Sequence, residues 1–246
     1  MKFELIWVFE SVRGDVVMKL IFVHGAGNTG FVWYYQTKYF PDSDAVSLVG
    51  HPEGQPCTSV EDYAVWLHKY IHDHGYSEPV IVGHSMGGAV AQTYALKYPE
   101  EVKGLILVGS GARLRVTPDL FSSLKSLINA PTGKLREFEE MLYGYVTPEI
   151  RDMVLDKVVE VGARVFLNDF QACDKFDIMD KVHQIKAPTL VICGTHDDMT
   201  PLKYAHYLVD KISGARLVAI QGASHMVFLE MPQEVNKAIE EFINSL

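Results

Sequence analysis

A chain of 246 residues is long enough to bury a sizeable core and to carry an insertion within one domain. Its 48% hydrophobic and 22% charged residues exclude a disordered or low-complexity chain. A formal net charge of -9, with no cluster of Lys and Arg, excludes a nucleic-acid surface, because phosphate binding needs concentrated positive charge.

The opening stretch MKFELIWVFESVRGD holds one short apolar run, interrupted by Glu4 and closed by Glu10. It lacks the basic start, longer apolar region and small-residue cleavage site of a secretory leader. No uncharged run approaches the roughly 18 residues of a membrane span, so no membrane partner is expected. Cys57, Cys173 and Cys193 are widely spaced with no CxxC pair, which fits free thiols in a reducing cytoplasm.

The first clear strand is Leu20 to Val23, a continuous apolar run ending at His24-Gly25. Ala45 to Val49 reads as a second, closed by the turn-rich Gly50-His51-Pro52-Glu53-Gly54. Val60, Tyr63, Ala64, Leu67 and Ile71 then fall at helical spacing, with Thr58 or Ser59 as N-cap. A strand at Pro79 to Val82 leads into a helix from Met86 to Tyr98, stopped before Pro99. Val102 to Val108 is the next strand. Thr189 to Cys193 and Ala215 to Ile220 are two more, separated by a helix around Tyr204 to Ile212. A last helix starts near Pro232, with Val235, Ile239, Phe242 and Ile243 on one face. This alternation predicts an α/β fold, a mostly parallel sheet flanked by helices.

Residues 113–186 break the alternation. They show helical patterns without a strand, punctuated at Pro118, Pro131-Thr132-Gly133 and Thr147-Pro148 into four helices. An all-helical insertion between two strands is expected to lie over the edge of the sheet as a cap, with residues 1–112 and 187–246 forming the core. Phe121, Leu124, Met141, Leu142, Phe166 and Phe170 predict a partly closed apolar pocket beneath it. The charge-rich Lys134 to Glu140 reads as an exposed helix face.

The chemistry concentrates in three places. Gly83-His84-Ser85-Met86-Gly87 sits between a strand and a helix, where Gly-x-Ser-x-Gly forms a nucleophile elbow. Small residues on either side of the serine let strand and helix pass closely, and the turn exposes the hydroxyl. A serine needs a base within hydrogen-bond reach, and His225 follows the last strand in Gly222-Ala223-Ser224-His225-Met226. The base needs a carboxylate to fix its tautomer, and Gly194-Thr195-His196-Asp197-Asp198-Met199-Thr200-Pro201 offers two.

With this order of motifs the chain resembles the α/β-hydrolase superfamily over nearly its whole length, within the capped group of serine esterases and lactonases. The resemblance implies an α/β-hydrolase fold and selects Asp197, through the match of Gly194, Asp197, Thr200 and Pro201 to the family's acid-bearing segment. It implies an oxyanion hole from the backbone N–H groups of Met86 and of Ala26, the residue after His24-Gly25. It gives His24 a structural role. Family members usually carry a strand hairpin ahead of the His-Gly strand, so a shortened first edge is expected here, an edge that favours a homodimer.

The implied activity is hydrolysis of small to medium carboxylic esters through an acyl-enzyme on Ser85, with no cofactor and no metal. Lactones, thioesters and carbon–carbon bonds are alternative substrates for the same three side chains, and a slowly hydrolysing small-molecule receptor is the alternative of a different class. Gly25-Ala26-Gly27-Asn28-Thr29-Gly30 also matches a dinucleotide-binding pattern, yet Asp42 and Asp44 precede the next strand instead of ending it. His68 and His72 stand at metal-compatible spacing with no third ligand evident in sequence, and together with His74 they read as a solvated helix face. His84, His196 and His206 are expected in loops, on the surface or behind the reacting side chains, and not as bases. Tyr34, Tyr35, Tyr143 and Tyr145 are expected in the core more than in a pocket.

Overall fold

The computed structural model describes residues 19–246. The opening stretch and the expected N-terminal edge lie outside the described residues.

Six strands form one parallel sheet: β1 (Leu20–Val23), β2 (Asp44–Val46), β3 (Val80–His84), β4 (Gly104–Val108), β5 (Thr189–Gly194) and β6 (Arg216–Ile220). Their order across the sheet is β2-β1-β3-β4-β5-β6. β1, β3, β4 and β5 are buried at every residue, so both faces of the sheet are covered. The edge strands β2 and β6 are partly exposed.

In chain order the helices are α1 (Tyr34–Tyr39), α2 (Val60–Asp73), α3 (Met86–Lys97), α4 (Pro118–Leu127), α5 (Thr132–Glu140), α6 (Pro148–Val161), α7 (Ala163–Lys175), α8 (Leu202–Lys211), α9 (Val227–Glu230) and α10 (Pro232–Ile243). Of the two N-cap candidates for α2, Ser59 takes the role and accepts from the Asp62 N–H at 3.1 Å. α3 is buried from Met86 to Ala95, where it packs on β3 and β4. The short helices α1 and α9 were not legible as separate elements, being 6 and 4 residues long.

β2 is shorter than the predicted Ala45–Val49. Ser47 and Leu48 leave the ladder to bind the loop after β1: the Ser47 hydroxyl accepts from Gly30 N–H at 3.0 Å, and Leu48 N–H donates to His24 at 3.0 Å.

Between β4 and β5 the chain forms the four helices α4–α7. Each proline that punctuates the sequence stands at or just before a helix start, where the missing N–H costs nothing. The two ends of this insertion are tied together by an antiparallel bridge between Arg113 and Asp177 and by the ion pair of Arg115 with Asp177 at 3.1 Å.

Candidate active site

The singled-out groups all lie in loops leaving the carboxyl ends of strands. β1 connects to β2 on one side and β3 to β4 on the other, so the loops after β1 and β3 diverge. They leave the crevice in which open parallel sheets bind ligands. Ser85 flanks it from β3 and Gly25-Ala26 from β1. A Cβ placed on Gly25 would lie 3.2 Å from that of Ser85.

Ser85 has φ 51° and ψ -115°, a conformation that costs an L-residue on the order of 1–3 kcal/mol. Its backbone is held from both sides. The N–H donates to Val108 O at 3.0 Å, and the carbonyl accepts from Gly88 N, Ala89 N and the Ser110 hydroxyl at 3.0, 3.2 and 2.8 Å. The close pass of strand and helix demands glycine. A Cβ on Gly83 would meet Gly87 O at 2.2 Å, and one on Gly87 would meet Val23 O at 2.3 Å.

His225 donates from Nδ1 to Asp197 Oδ2 at 2.9 Å, which fixes the tautomer and leaves Nε2 as the basic nitrogen. Asp197 Oδ1 accepts from the N–H groups of Met199 and Thr200 at 2.9 and 2.8 Å, and Oδ2 accepts from the Thr200 hydroxyl at 2.7 Å. Burial alone would raise the Asp197 pKa. The His225 charge and the hydrogen bonds from His225 and Thr200 outweigh it and hold the carboxyl below its ordinary range. Asp198, the neighbouring candidate, is exposed and makes no such contact with His225.

Two buried imidazoles support the site without being free to titrate. His24 donates from Nδ1 to Gly25 O at 2.8 Å while its Nε2 accepts from Leu48 N–H. His84 donates from Nε2 to His225 O at 3.1 Å. Burial first, and a neighbouring histidine second, hold both well below the usual imidazole range. His196 and His206 are exposed. The free thiols are poor rivals to the serine, because burial pushes Cys57 up to about 11 and Cys193 up to about 12.

The Ala26 and Met86 N–H groups donate to no acceptor among the described residues. The peptide that follows Ala26 is pinned at both ends. Its carbonyl accepts from Asn28 Nδ2 at 3.1 Å, and its N–H, that of Gly27, donates to Asp169 Oδ2 at 2.9 Å. Both anchors lead into the helical insertion. Tyr143 donates its hydroxyl to Asn28 Oδ1 at 2.8 Å, and Asp169 belongs to α7. Asp169 is fully buried, pairs with His51 Nε2 at 2.7 Å and accepts from the Tyr63 hydroxyl at 2.9 Å. Sequence reading missed it. Asp169 follows Phe166 by three residues and precedes Phe170 and Cys173 by one and four, so it is a carboxylate on the apolar stripe of an amphipathic helix.

Ser85 opens onto two cavities. The inner one, about 20 Å³, is bounded by Ser85, His225 and Ala26 below and by Glu139, Tyr143 and Phe166 above. The outer one, about 210 Å³, runs past Leu114, Val116, Leu120 and Phe170. Leu142, Phe166 and Phe170 line the cavities as predicted, and Leu124 is buried, but Met141 is 74% exposed. Tyr143 is buried against the inner cavity and not merely in the core, whereas Tyr145 is exposed. The expectation of an exposed face at Lys134 to Glu140 fails at two residues. Leu135 and Glu139, one turn apart, both point inward.

The structure also brings Glu101 to the two α2 histidines, at 3.2 Å from His68 and 3.0 Å from His72. Sequence spacing could not show this third group, which lies on a separate turn ahead of β4. The cluster, whose side chains are partly exposed, lies ahead of the amino end of β4, whereas Ser85 follows the carboxyl end of β3.

Residues 20–238 match the model of the alpha/beta hydrolase family. Monoacylglycerol lipase abhd6-A of Xenopus laevis is 25% identical over 255 residues, which cover 92% of this chain and 75% of that protein. Proline iminopeptidase of Saccharolobus solfataricus is 29% identical over 202 residues, 70% of this chain and 64% of that one. Among solved structures, a thermophilic esterase is 32% identical with a TM-score of 0.78, over 92% of this chain and 89% of that chain. The enol-lactonase of Burkholderia xenovorans LB400 has a TM-score of 0.83 at 20% identity, over 94% and 92%, a likeness of fold.

Proposed function

We propose that this chain, which belongs to the alpha/beta hydrolase family, is a serine hydrolase of small to medium carboxylic esters that works through an acyl-enzyme on Ser85. One observation carries the reading. A serine in a strained backbone conformation shares a cavity with a histidine whose Nδ1 is hydrogen-bonded to a buried carboxylate. The 32% identity to a thermophilic esterase supports the ester class.

Ser85 Oγ attacks the ester carbonyl as His225 Nε2 takes its proton, with Asp197 stabilising the imidazolium. The Ala26 and Met86 N–H groups receive the oxyanion, each worth on the order of 3 kcal/mol in the transition state. The alcohol leaves with the proton from His225, and a water activated by the same nitrogen releases the acid. Every proton passes through one imidazole, and no step calls for a metal or cofactor. Residues 113–186 act as the cap over this chemistry. The free Cys57, Cys173 and Cys193 support a reducing compartment, the cytoplasm. No helix among the described residues is long and apolar enough to cross a membrane.

Asp169 is a positioning residue in this reading, since it fixes the peptide that orients the Ala26 donor. Asp169→Asn keeps the shape of the side chain and removes its charge. It is expected to lower kcat about 10- to 100-fold, the cost of a misplaced donor, with a much smaller change in KM. A rise in KM with kcat intact would point to a role in cap packing alone.

The reading is tested by steady-state hydrolysis of p-nitrophenyl esters from acetate to decanoate. Multiple turnover with a maximum at short or medium chains is expected. Ligand-induced stabilisation without turnover would instead indicate a receptor.

A further inference from the structure

Glu139 is 1% exposed, and neither of its carboxyl oxygens has a hydrogen-bond partner among the described residues. It faces the inner cavity opposite Ser85 and His225, among Leu142, Phe166 and Met226. Buried polar groups are almost always paired, so an orphaned carboxyl at a reaction centre marks the place of a ligand group.

We propose that Glu139 makes the inner cavity a subsite for a hydroxyl on the alcohol half of the ester, so that the preferred substrates are acyl esters of short hydroxylated alcohols. The proposal rests on the serine-esterase reading and names the substrate class of that same site. Its assignment to the alcohol half follows from His225, which lines the inner cavity and not the outer one. The departing alcohol takes its proton from His225 and must therefore lie on that side. The outer cavity, ten times larger and walled by Leu114, Val116, Leu120 and Phe170, receives the acyl chain.

The inner cavity holds about 20 Å³, room for one water-sized group, which limits the alcohol half to a short chain and leaves Glu139 to choose between a terminal hydroxyl and a methyl. Burial pushes the Glu139 pKa up to about 8, so at neutral pH the group is chiefly the acid, with one O–H donor and one carbonyl acceptor. A hydroxyl offers the complementary acceptor and donor. Nothing in the reaction consumes the Glu139 proton: the ester C–O bond breaks, the Ser85 Oγ–C bond forms, and the diol leaves with the proton from His225.

The test compares 2-hydroxyethyl butyrate with n-propyl butyrate, which differ by a hydroxyl in place of a methyl, on wild type, Glu139→Leu and Glu139→Gln. Wild type is expected to favour the hydroxyethyl ester by about tenfold in kcat/KM, the worth of one net buried hydrogen bond. Glu139→Leu is expected to reverse that ratio, and Glu139→Gln, which keeps a donor and an acceptor, to retain part of it. A wild-type ratio near one, or a ratio unchanged by Leu, overturns the proposal while leaving the esterase reading in place. So does a preference for methyl 4-hydroxybutyrate over methyl pentanoate that Glu139→Leu abolishes, because it puts the hydroxyl on the acyl half. Failure to turn over any ester, p-nitrophenyl esters included, removes the esterase reading and the proposal with it.

Discussion

Replacing Ser85 with Ala is expected to lower kcat on p-nitrophenyl butyrate by roughly 10⁴- to 10⁶-fold, the range seen when a catalytic serine is removed. The hydroxyl is the atom that forms the new bond, and no neighbouring group can stand in for it. The one thiol that lines a cavity with Ser85, Cys173, is buried, and burial pushes it well above the ordinary thiol range. The fold is expected to survive, because the elbow is held through the backbone of Ser85 and not through its side chain. Val108, Gly88, Ala89 and Ser110 make those contacts, and an alanine leaves all of them in place. Thermal melting beside the kinetics checks both halves of the expectation. Loss of activity by less than tenfold in a well-folded variant would place the nucleophile elsewhere.

Asp197→Asn is the second large effect, with an expected fall in kcat of about 10⁴-fold. A carboxylate at this position accepts from His225 Nδ1–H, whereas an amide that keeps its oxygen on the Met199 and Thr200 N–H groups turns its own NH2 toward His225 Nδ1 and donates to it. The imidazole would then be held in the wrong tautomer, with its proton on the nitrogen that must act as base. Asp198→Asn, on the exposed side of the same turn, is expected to cost far less. Stability carries a second signature. Because the Asp197 pKa is lowered in the fold, its contribution is complete above the unfolded value near 3.9 and is lost as pH falls through the folded value. The Tm gap between wild type and Asp197→Asn is therefore expected to be widest at neutral pH and to close in acid.

Of the proposed site, the residues whose placement depends on a contiguous turn are legible in the sequence. Ser85 announces itself because the elbow needs glycine at 83 and 87, where any Cβ would collide with backbone. Asp197 and His225 follow strands whose apolar runs are clear, so their loops could be placed at the sheet's carboxyl edge. The groups that the sequence hid are Asp169 and Glu139, both carboxyls on the insertion helices. Charge and exposure usually go together, and the stretch Lys-Leu-Arg-Glu-Phe-Glu-Glu looks like a solvated face by composition. Its helical phase says otherwise: Leu135, Glu139 and Leu142 share one stripe. The same phase puts Asp169 between Phe166 and Phe170. A carboxylate in register with an apolar stripe was the available signal, and only tertiary pairing distinguishes the two outcomes. Asp169 found His51, Tyr63 and Gly27, whereas Glu139 found no partner in the chain. The edge strand β2 was overestimated for a related reason, since Ser47 and Leu48 spend their hydrogen bonds on the loop after β1, which no local pattern encodes.

The central claim is a covalent bond between the acyl group and Ser85. It is tested most directly by reacting the enzyme with an alkyl fluorophosphonate and locating the adduct by peptide mass spectrometry. A single adduct on Ser85, formed in step with the loss of esterase activity and absent from Ser85→Ala, is the predicted result. Stoichiometric labelling of another residue, or full inactivation with Ser85 unmodified, would contradict it.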